Sequence, residues 1–269
     1  MASSHERRAD TGTAGVRDSL PSDHPIARNL RDVRRRADDA ARAAGRDPRN
    51  VRLIAVSKTF GSEHIRLAAT AGQTEFGENR VQEALGKCAE GSDLDVRWHL
   101  IGHLQTNKVR KVVEPFSWIH SVDRLELLRR LEQAAAEQGT KPNLLIQVDL
   151  ANEATKHGVP PADLPQMFEV ALGYRAVRVR GLMLLPPFEN DPEQTRPYFR
   201  RLRELRDELA ADGVDRTMLE ELSMGMSHDF ETAIAEGATM VRVGTAIFGT
   251  RPAPGSAVKP LDTRERGPA

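Results

Sequence analysis

The chain has 269 residues, with 39 Lys+Arg against 39 Asp+Glu and a single cysteine, Cys88. That length buries a sizeable core as one large α/β domain or two ordinary ones, and the balanced charge argues against a partner that is mainly nucleic-acid phosphate or anionic lipid. One thiol excludes an intramolecular disulfide and the cysteine-rich zinc frameworks, so a reducing, cytoplasmic setting is expected, with no membrane segment because no long uncharged apolar run occurs.

Residues 1–25 mix Ser, His, Arg, Asp, Thr and Gly without the apolar stretch of a secretory signal and read as a disordered tail. Glu6, Asp10, Asp18 and Asp23 interleave with Arg7, Arg8 and Arg17, which argues against an organelle address. From Asn29 to Ala44, the apolar Leu30, Val33, Ala37 and Ala41 recur at helical spacing before Gly45 and Pro48 close the run. Val51 to Val56 is a short apolar segment of buried-strand type. The alternation then repeats. Helical runs are expected at Glu63 to Ala71, Arg80 to Cys88, Arg124 to Gln138 and Arg196 to Ala211. Strands are expected at Thr74 to Phe76, Arg97 to Ile101, Trp118 to His120, Leu144 to Val148, Val177 to Leu184, Leu219 to Leu222 and Met240 to Val243. About eight strands, each followed by something helical, is the pattern of a closed (β/α)8 barrel. A doubly wound open sheet is the competitor, but no G-x-G-x-x-G follows the first strand and no Pro/Gly-rich linker divides the chain. One barrel domain is expected over residues 26–250, with residues 251–269 as a C-terminal tail too short for a second domain.

In such barrels the functional residues gather where strands end. Side chains alternate along a strand, so Ile54, Val56 and Lys58 share one face of the first. If Ile54 points inward, Lys58 points into the barrel mouth, where partial desolvation favours the neutral amine that attacks a carbonyl carbon. Taken alone, Lys58 reads more simply as a surface lysine at a strand end. Small and hydroxyl residues at 222–228 and 241–245 recur at the last two strand ends, where barrels commonly bind phosphate, and Ser223, Gly244 and Thr245 are the candidates.

Six strings, in this order, resemble the pyridoxal phosphate homeostasis protein family: Ala-Val-Ser-Lys at 55–58, Phe-Gly-Glu-Asn-Arg-Val-Gln-Glu at 76–83, Trp-His-Leu-Ile-Gly-His-Leu-Gln-Thr-Asn-Lys at 98–108, Ile-His-Ser-Val-Asp at 119–123, Leu-Ser-Met-Gly-Met-Ser at 222–227 and Val-Arg-Val-Gly-Thr-Ala-Ile-Phe-Gly at 241–249. The resemblance covers roughly Ala27 to Gly249. It implies a single (β/α)8 TIM barrel of the alanine racemase N-terminal, fold-type III kind, with pyridoxal 5'-phosphate, the vitamin B6 cofactor, held as a Schiff base (internal aldimine) on Lys58. It also implies Asn79 beside the ring, Ser223, Gly244 and Thr245 on the phosphate, Met224 near the site, and Arg242 facing the pyridine nitrogen. A guanidinium only donates hydrogen bonds, so it leaves that nitrogen unprotonated and the ring a poor electron sink.

A racemase of the related kind also takes a second acid/base, a tyrosine, from an added β domain. The sequence offers only Tyr174 and Tyr198, neither at an expected strand end. The expected function is therefore intracellular cofactor homeostasis and delivery with little or no turnover. A racemase or lyase acting on a small amino acid is the alternative, and a phosphosugar barrel enzyme using Lys58 a third reading. Apoenzymes that use the cofactor are the expected recipients, with no nucleic-acid or membrane partner, and a monomer is expected. His99 and His103 are four apart, but the first lies in an expected strand, no Glu stands between them as in H-E-x-x-H and no third ligand is evident, so no metal is expected. Trp98 and Trp118 read as core or barrel-rim residues, Cys88 as unreactive, and Arg200 with Glu204 and Arg203 with Asp207 as helix-surface pairs. Asp149 departs from the family, which commonly has Asn there, and leaves the details of that wall open.

Overall fold

A computed structural model describes residues 24–151 and 157–250. The expected tails lie outside these residues, apart from His24 and Pro25. The first helix, α1 (Pro25–Ala43), begins four residues earlier than its apolar spacing suggests. His24 Nδ1 accepts the Ile26 amide at 3.2 Å and Pro25 occupies the first turn, where its missing N–H costs nothing. Leu30, Val33, Ala37 and Ala41 are buried on one face, as the period requires.

Eight strands follow: β1 (Arg52–Val56), β2 (Glu75–Glu78), β3 (Arg97–Leu100), β4 (Trp118–Val122), β5 (Asn143–Val148), β6 (Arg178–Leu184), β7 (Glu221–Met226) and β8 (Met240–Val243). They pair in sequence order, all parallel, and β8 returns to β1 to close the barrel. The outer layer comprises α2 (Ser62–Thr70), α3 (Val81–Glu90), α4 (Leu125–Gln138), α5 (Leu164–Leu172), α6 (Arg196–Ala211), α7 (Phe230–Ala235) and the single turn α8 (Thr245–Phe248). Among the described residues no helix is long and apolar enough to cross a membrane.

β7 differs from expectation. It runs to Met226 rather than ending at Leu222, so Ser223 and Met224 lie within the strand and the turn starts at Ser227. Ser, Met and Gly have little β preference of their own, but ladder partners on β6 and β8 hold the segment extended. The surface pairs expected on α6 are also replaced. Arg196, Arg200 and Arg203 converge instead on Glu236 at 3.0–3.1 Å. Glu236 is almost fully buried, so its poorly hydrated charge gathers these three cations, while Glu204 and Asp207 pair with Arg201 (3.6 Å) and Arg206 (2.7 Å) instead.

Outward strand residues such as Ala55, Phe76, Leu100, Ile119, Leu182, Met224 and Val243 join the helices in the main core. Trp98 belongs to that layer, whereas Trp118 packs inside the barrel with Ile54, Leu145, Met183 and Met240. Polar groups fill much of the remaining interior: Glu75, His99, His120, Ser223 and Arg242 are all buried. Burial holds the His99 and His120 imidazoles below their ordinary 6.5. The unfolded chain therefore takes up protons below about pH 6.5 that the folded chain refuses, so this contribution to stability is complete above that pH and declines as pH falls toward the folded values. In urea titrations between pH 7.5 and 5.5, unfolding free energy should drop by up to about 1.4 kcal/mol per pH unit for each of these histidines. The slope should shrink by one histidine's share in His99→Gln; an unchanged slope would show that the ring titrates normally.

Candidate functional site

At the C-terminal end of the strands lies a cavity of about 690 Å³, within the range of small-molecule sites. Lys58, Asn79, Arg242, Gly244 and Thr245 are on its wall. So are Val56, Gln147, Met226, Ser227, His228 and Asp229. Strand parity accounts for Lys58: Ile54 lies in the barrel interior, Val56 lines the cavity, and Lys58 continues the same face. Ser223 and Met224 do not line the cavity. Met224 faces the helical layer, and the Ser223 hydroxyl lies on the barrel axis against Arg242 (2.6 Å) and His120 (2.9 Å). The longer β7 explains both positions and puts Ser227, not Ser223, at the turn.

A buried network fixes the chain on either side of Lys58. The Ser57 hydroxyl donates to Glu78 Oε1 (2.6 Å). Lys87 Nζ, on α3, donates to the same oxygen (2.8 Å), to the Ser57 carbonyl (2.8 Å) and to Glu83 Oε1 (2.6 Å). Glu83 also accepts the amide of Thr59 at 2.7 Å. Thr59 has φ of 72°, a left-handed conformation that costs a β-branched residue on the order of 1–3 kcal/mol and needs such support. Burial pushes the Glu78 carboxyl up, with Lys87 and Ser57 pulling the other way. Burial also pushes the Cys88 thiol up to about 12, which leaves it a poor nucleophile.

On the neighbouring wall, after β7 and β8, the Ser227 hydroxyl accepts the Gly244 amide at 3.0 Å. A Cβ on Gly244 would come within 3.2 Å of the Val56 carbonyl, so glycine keeps β8 close to β1. Gly102 lets the chain after β3 lie against Asn79, since a Cβ there would collide with the Asn79 carbonyl. Arg242 donates from Nη1 to Ser223 and from Nη2 to the Leu184 carbonyl (2.8 Å). Burial lowers its pKa to about 10, with Asp229 opposing the shift, so it stays cationic at neutral pH. Asp229 Oδ1 accepts the Met226 amide at 2.7 Å, and burial pushes this carboxyl up.

The comparisons bear on this geometry. Residues 26–252 match the alanine racemase N-terminal domain. The pyridoxal phosphate homeostasis protein of Pseudomonas aeruginosa is 46% identical over 226 residues, which is 84% of this chain and 96% of that one. The chain belongs to the pyridoxal phosphate homeostasis protein family. The Aquifex aeolicus relative is 47% identical over 81% of this chain and 95% of its own. PipY of Synechococcus elongatus PCC7942, solved with PLP bound, is 44% identical with a TM-score of 0.74, covering 83% of this chain and 100% of that one. Alanine racemase of Clostridium difficile 630 shares the fold at 15% identity and a TM-score of 0.65, with 57% of its length covered.

Within this family's frame, some residues of the mouth had no sequence signal and others had one that was misread. Gln147 and Asp229 reach the wall through strand ends whose limits the sequence leaves open. Ser227 lies in the Leu-Ser-Met-Gly-Met-Ser string, and only the full length of β7, to Met226, places it at the turn. Asp149 is off the wall; its amide donates to the Val159 carbonyl (3.0 Å) and its carboxylate accepts the Ala151 amide (3.1 Å). His99 lies inside the barrel and does not meet His103. His103 instead stacks on His157 at the rim, 3.7 Å between ring centres, and both turn a nitrogen toward Asp123. The ligand atoms of these three residues lie within 4.8 Å of one another, a spacing that could take a metal ion, and Arg124 already pairs with the same carboxylate at 2.5 Å.

Lys87→Met should destabilise the chain by about 3–5 kcal/mol in urea unfolding, because Glu78 is left buried without its counter-charge. Adding Glu78→Gln should recover part of that loss; no recovery would mean the pair is not the source of the effect.

Proposed function

We propose that this chain binds pyridoxal 5'-phosphate in the barrel mouth, reversibly joined to Lys58 Nζ as a Schiff base, and that it stores and delivers the cofactor with little turnover. The observation that carries the reading is the convergence of Lys58, Asn79, Arg242, Gly244 and Thr245 on one cavity. The bound form of PipY, at 44% identity, supports the same assignment. The residues present also fit the group. Asn79 Oδ1 is buried with no hydrogen-bond partner, an acceptor suited to a polar ligand. The Gly244 amide is satisfied by a hydroxyl oxygen where an anionic oxygen would compete well.

When bound, the cofactor supplies an aldehyde that a lysine amine can join reversibly. The chain's own residues do the rest. The network of Ser57, Glu78, Glu83 and Lys87 holds the backbone at Lys58, and the amides of Gly244 and Thr245 with the Ser227 hydroxyl hold the phosphate. Ser227 thereby takes the hydroxyl role that the sequence suggested for Ser223, and Met224 acts only by packing behind β7. Arg242, a donor only, faces the ring nitrogen and keeps it an acceptor, which disfavours carbanion chemistry. Tyr174 and Tyr198 pack against the helical core, away from the cavity, so neither supplies the second acid/base of a racemase.

Apoenzymes that use the cofactor are the proposed recipients, in the cytoplasm, with the chain acting as a monomer. The large exposed apolar side chains among the described residues are Leu172 and Phe188, one of them on the rim of the cavity, and two scattered side chains do not make an interface patch.

Purified chain incubated with the cofactor should gain visible absorbance that borohydride abolishes, and a mass spectrum of the reduced protein should place the adduct on Lys58. Lys58→Ala should lose the stable adduct, and a colourless, unmodified wild type would overturn the reading. With amino acids in deuterated water, the loaded protein should exchange little α-proton; rapid exchange would favour the racemase or lyase instead.

A further inference from the structure

The barrel axis contains an unbroken line of buried polar side chains that the binding roles above do not require. Arg242 Nη1 lies 2.6 Å from Ser223 Oγ, which lies 2.9 Å from His120 Nδ1. His120 Nε2 lies 2.9 Å from His99 Nδ1, and His99 Nε2 lies 2.7 Å from Glu75 Oε2. Ser223, His99 and His120 are fully buried, and Glu75 and Arg242 almost so. At the far end the other Glu75 oxygen faces Arg97 and, at 3.7 Å, Arg52. The line therefore runs from a carboxylate near the N-terminal ends of the strands to a guanidinium on the cavity wall.

Donor and acceptor roles along this line admit one assignment. A guanidinium only donates, so Ser223 Oγ accepts from Arg242 and must turn its own hydrogen toward His120 Nδ1. His120 Nδ1 is then an acceptor, and its proton sits on Nε2, which donates to His99 Nδ1. His99 in turn carries its proton on Nε2 and donates to Glu75. Started from the other end, an ionised Glu75 only accepts, and the same assignment results. An imidazolium at either position would reverse the hydroxyl of Ser223 and leave its hydrogen without an acceptor in a dry interior, a loss comparable to an unmade buried hydrogen bond. Of the charged groups that face the two rings, Arg52 and Arg97 beside Glu75 and Arg242 beyond Ser223 are cationic and oppose a charge on either imidazole, whereas the Glu75 carboxylate, 2.7 Å from His99, favours one there and is outweighed by burial.

We infer that Glu75, His99, His120 and Ser223 form a one-directional hydrogen-bond relay that positions the Arg242 guanidinium for the ring nitrogen of the bound cofactor. The clause about the ring rests on the proposed function; the direction of the relay does not. These four are positioning residues, since none of them reaches the cavity wall, which only Arg242 at the end of the line joins. The relay holds one edge of the guanidinium through Ser223 while Leu184 holds another, so the remaining donors are presented to the mouth in a fixed orientation. Because each link is set by the next, a substitution at His99, three links from Arg242, should be felt at the ring nitrogen.

The cofactor-free full chain, labelled with nitrogen-15 in histidine, tests the direction: both imidazoles should be neutral with the proton on Nε2 between about pH 6 and 8. A proton on Nδ1 of either ring, or an imidazolium, overturns the relay. The loaded chain, carrying cofactor labelled at the ring nitrogen, tests the positioning. Ser223→Ala and His99→Leu should move the ring-nitrogen signal and weaken cofactor binding about tenfold, the size of one lost charge-assisted hydrogen bond. Ser223→Thr, which keeps the hydroxyl, should restore the signal. If Ser223→Ala does not fold, His99→Leu carries the same reading from the other end. A folded His99→Leu chain with wild-type affinity and an unmoved ring-nitrogen signal overturns the relay alone, whereas a wild type that binds no cofactor overturns the function on which its last link rests.

Discussion

Eight parallel strands closed on one another leave an interior that only a few layers of side chains can fill, and a polar group placed there has no water to fall back on. In this chain about half of that interior is polar: the apolar cluster of Ile54, Trp118, Leu145, Met183 and Met240 shares the axis with Glu75, His99, His120, Ser223 and Arg242. Such a group survives only when each member satisfies its neighbour, because a partly satisfied buried network is worse than an apolar core. Arg242 is thus more than a residue at a strand end. Its cation is tolerable at full burial because Ser223 and Leu184 accept from it inside the barrel and Asp229 opposes the loss of its charge.

Lys58 is governed by a second buried group, on the other side of the sheet. Glu78 and Ser57 face outward from β2 and the end of β1 toward α3, and Lys87 closes the arrangement with three donors, one for each of its acceptors. The two lysines divide the work. Lys87 spends its donors on the backbone and carboxylates behind the strand, so that Lys58, one residue beyond Ser57, is held over the mouth by a rigid turn. Thr59 in a left-handed conformation is the local cost of turning the chain so soon after β1, and the Glu83 carboxylate offsets it by taking the Thr59 amide.

Much of this was legible in the sequence. The alternation of short apolar runs with amphipathic stretches indicated the closed barrel, because period and length are local properties. Strand parity carried Lys58 from Ile54 into the mouth for the same reason. What escaped was set by partners distant along the chain. The expected β7 is short because Ser223, Met224 and Gly225 have weak β preferences of their own, which pairing with β6 and β8 overrides. The α6 arginines were paired with their helical neighbours, when a buried carboxylate at Glu236 was the stronger attractor. The sequence sets His99 beside His103, four residues on, whereas its partner in the fold is His120 on the adjacent strand, 21 residues apart, a meeting that nothing in a single sequence shows.

The two buried groups meet the cavity at neighbouring strands, one from behind the sheet and one from inside the barrel, and their chemistry is matched to that placement. Around Lys58 the support consists of carboxylates and an ammonium behind the sheet, which fix a backbone and leave the amine's own reactivity to its surroundings. Around Arg242 the support is a line of neutral hydrogen bonds ending on a carboxylate, which fixes the orientation of a cation without neutralising it, since Glu75 is already matched by Arg97 and Arg52 and stands four links away. A carboxylate in direct contact with Arg242 would hold the guanidinium equally firmly but would screen its charge from the mouth. Passing the constraint through two imidazoles and a hydroxyl keeps the full positive charge available at the one surface where a ligand can use it, and that separation explains why neutral histidines, rather than an ion pair, occupy the axis of the barrel.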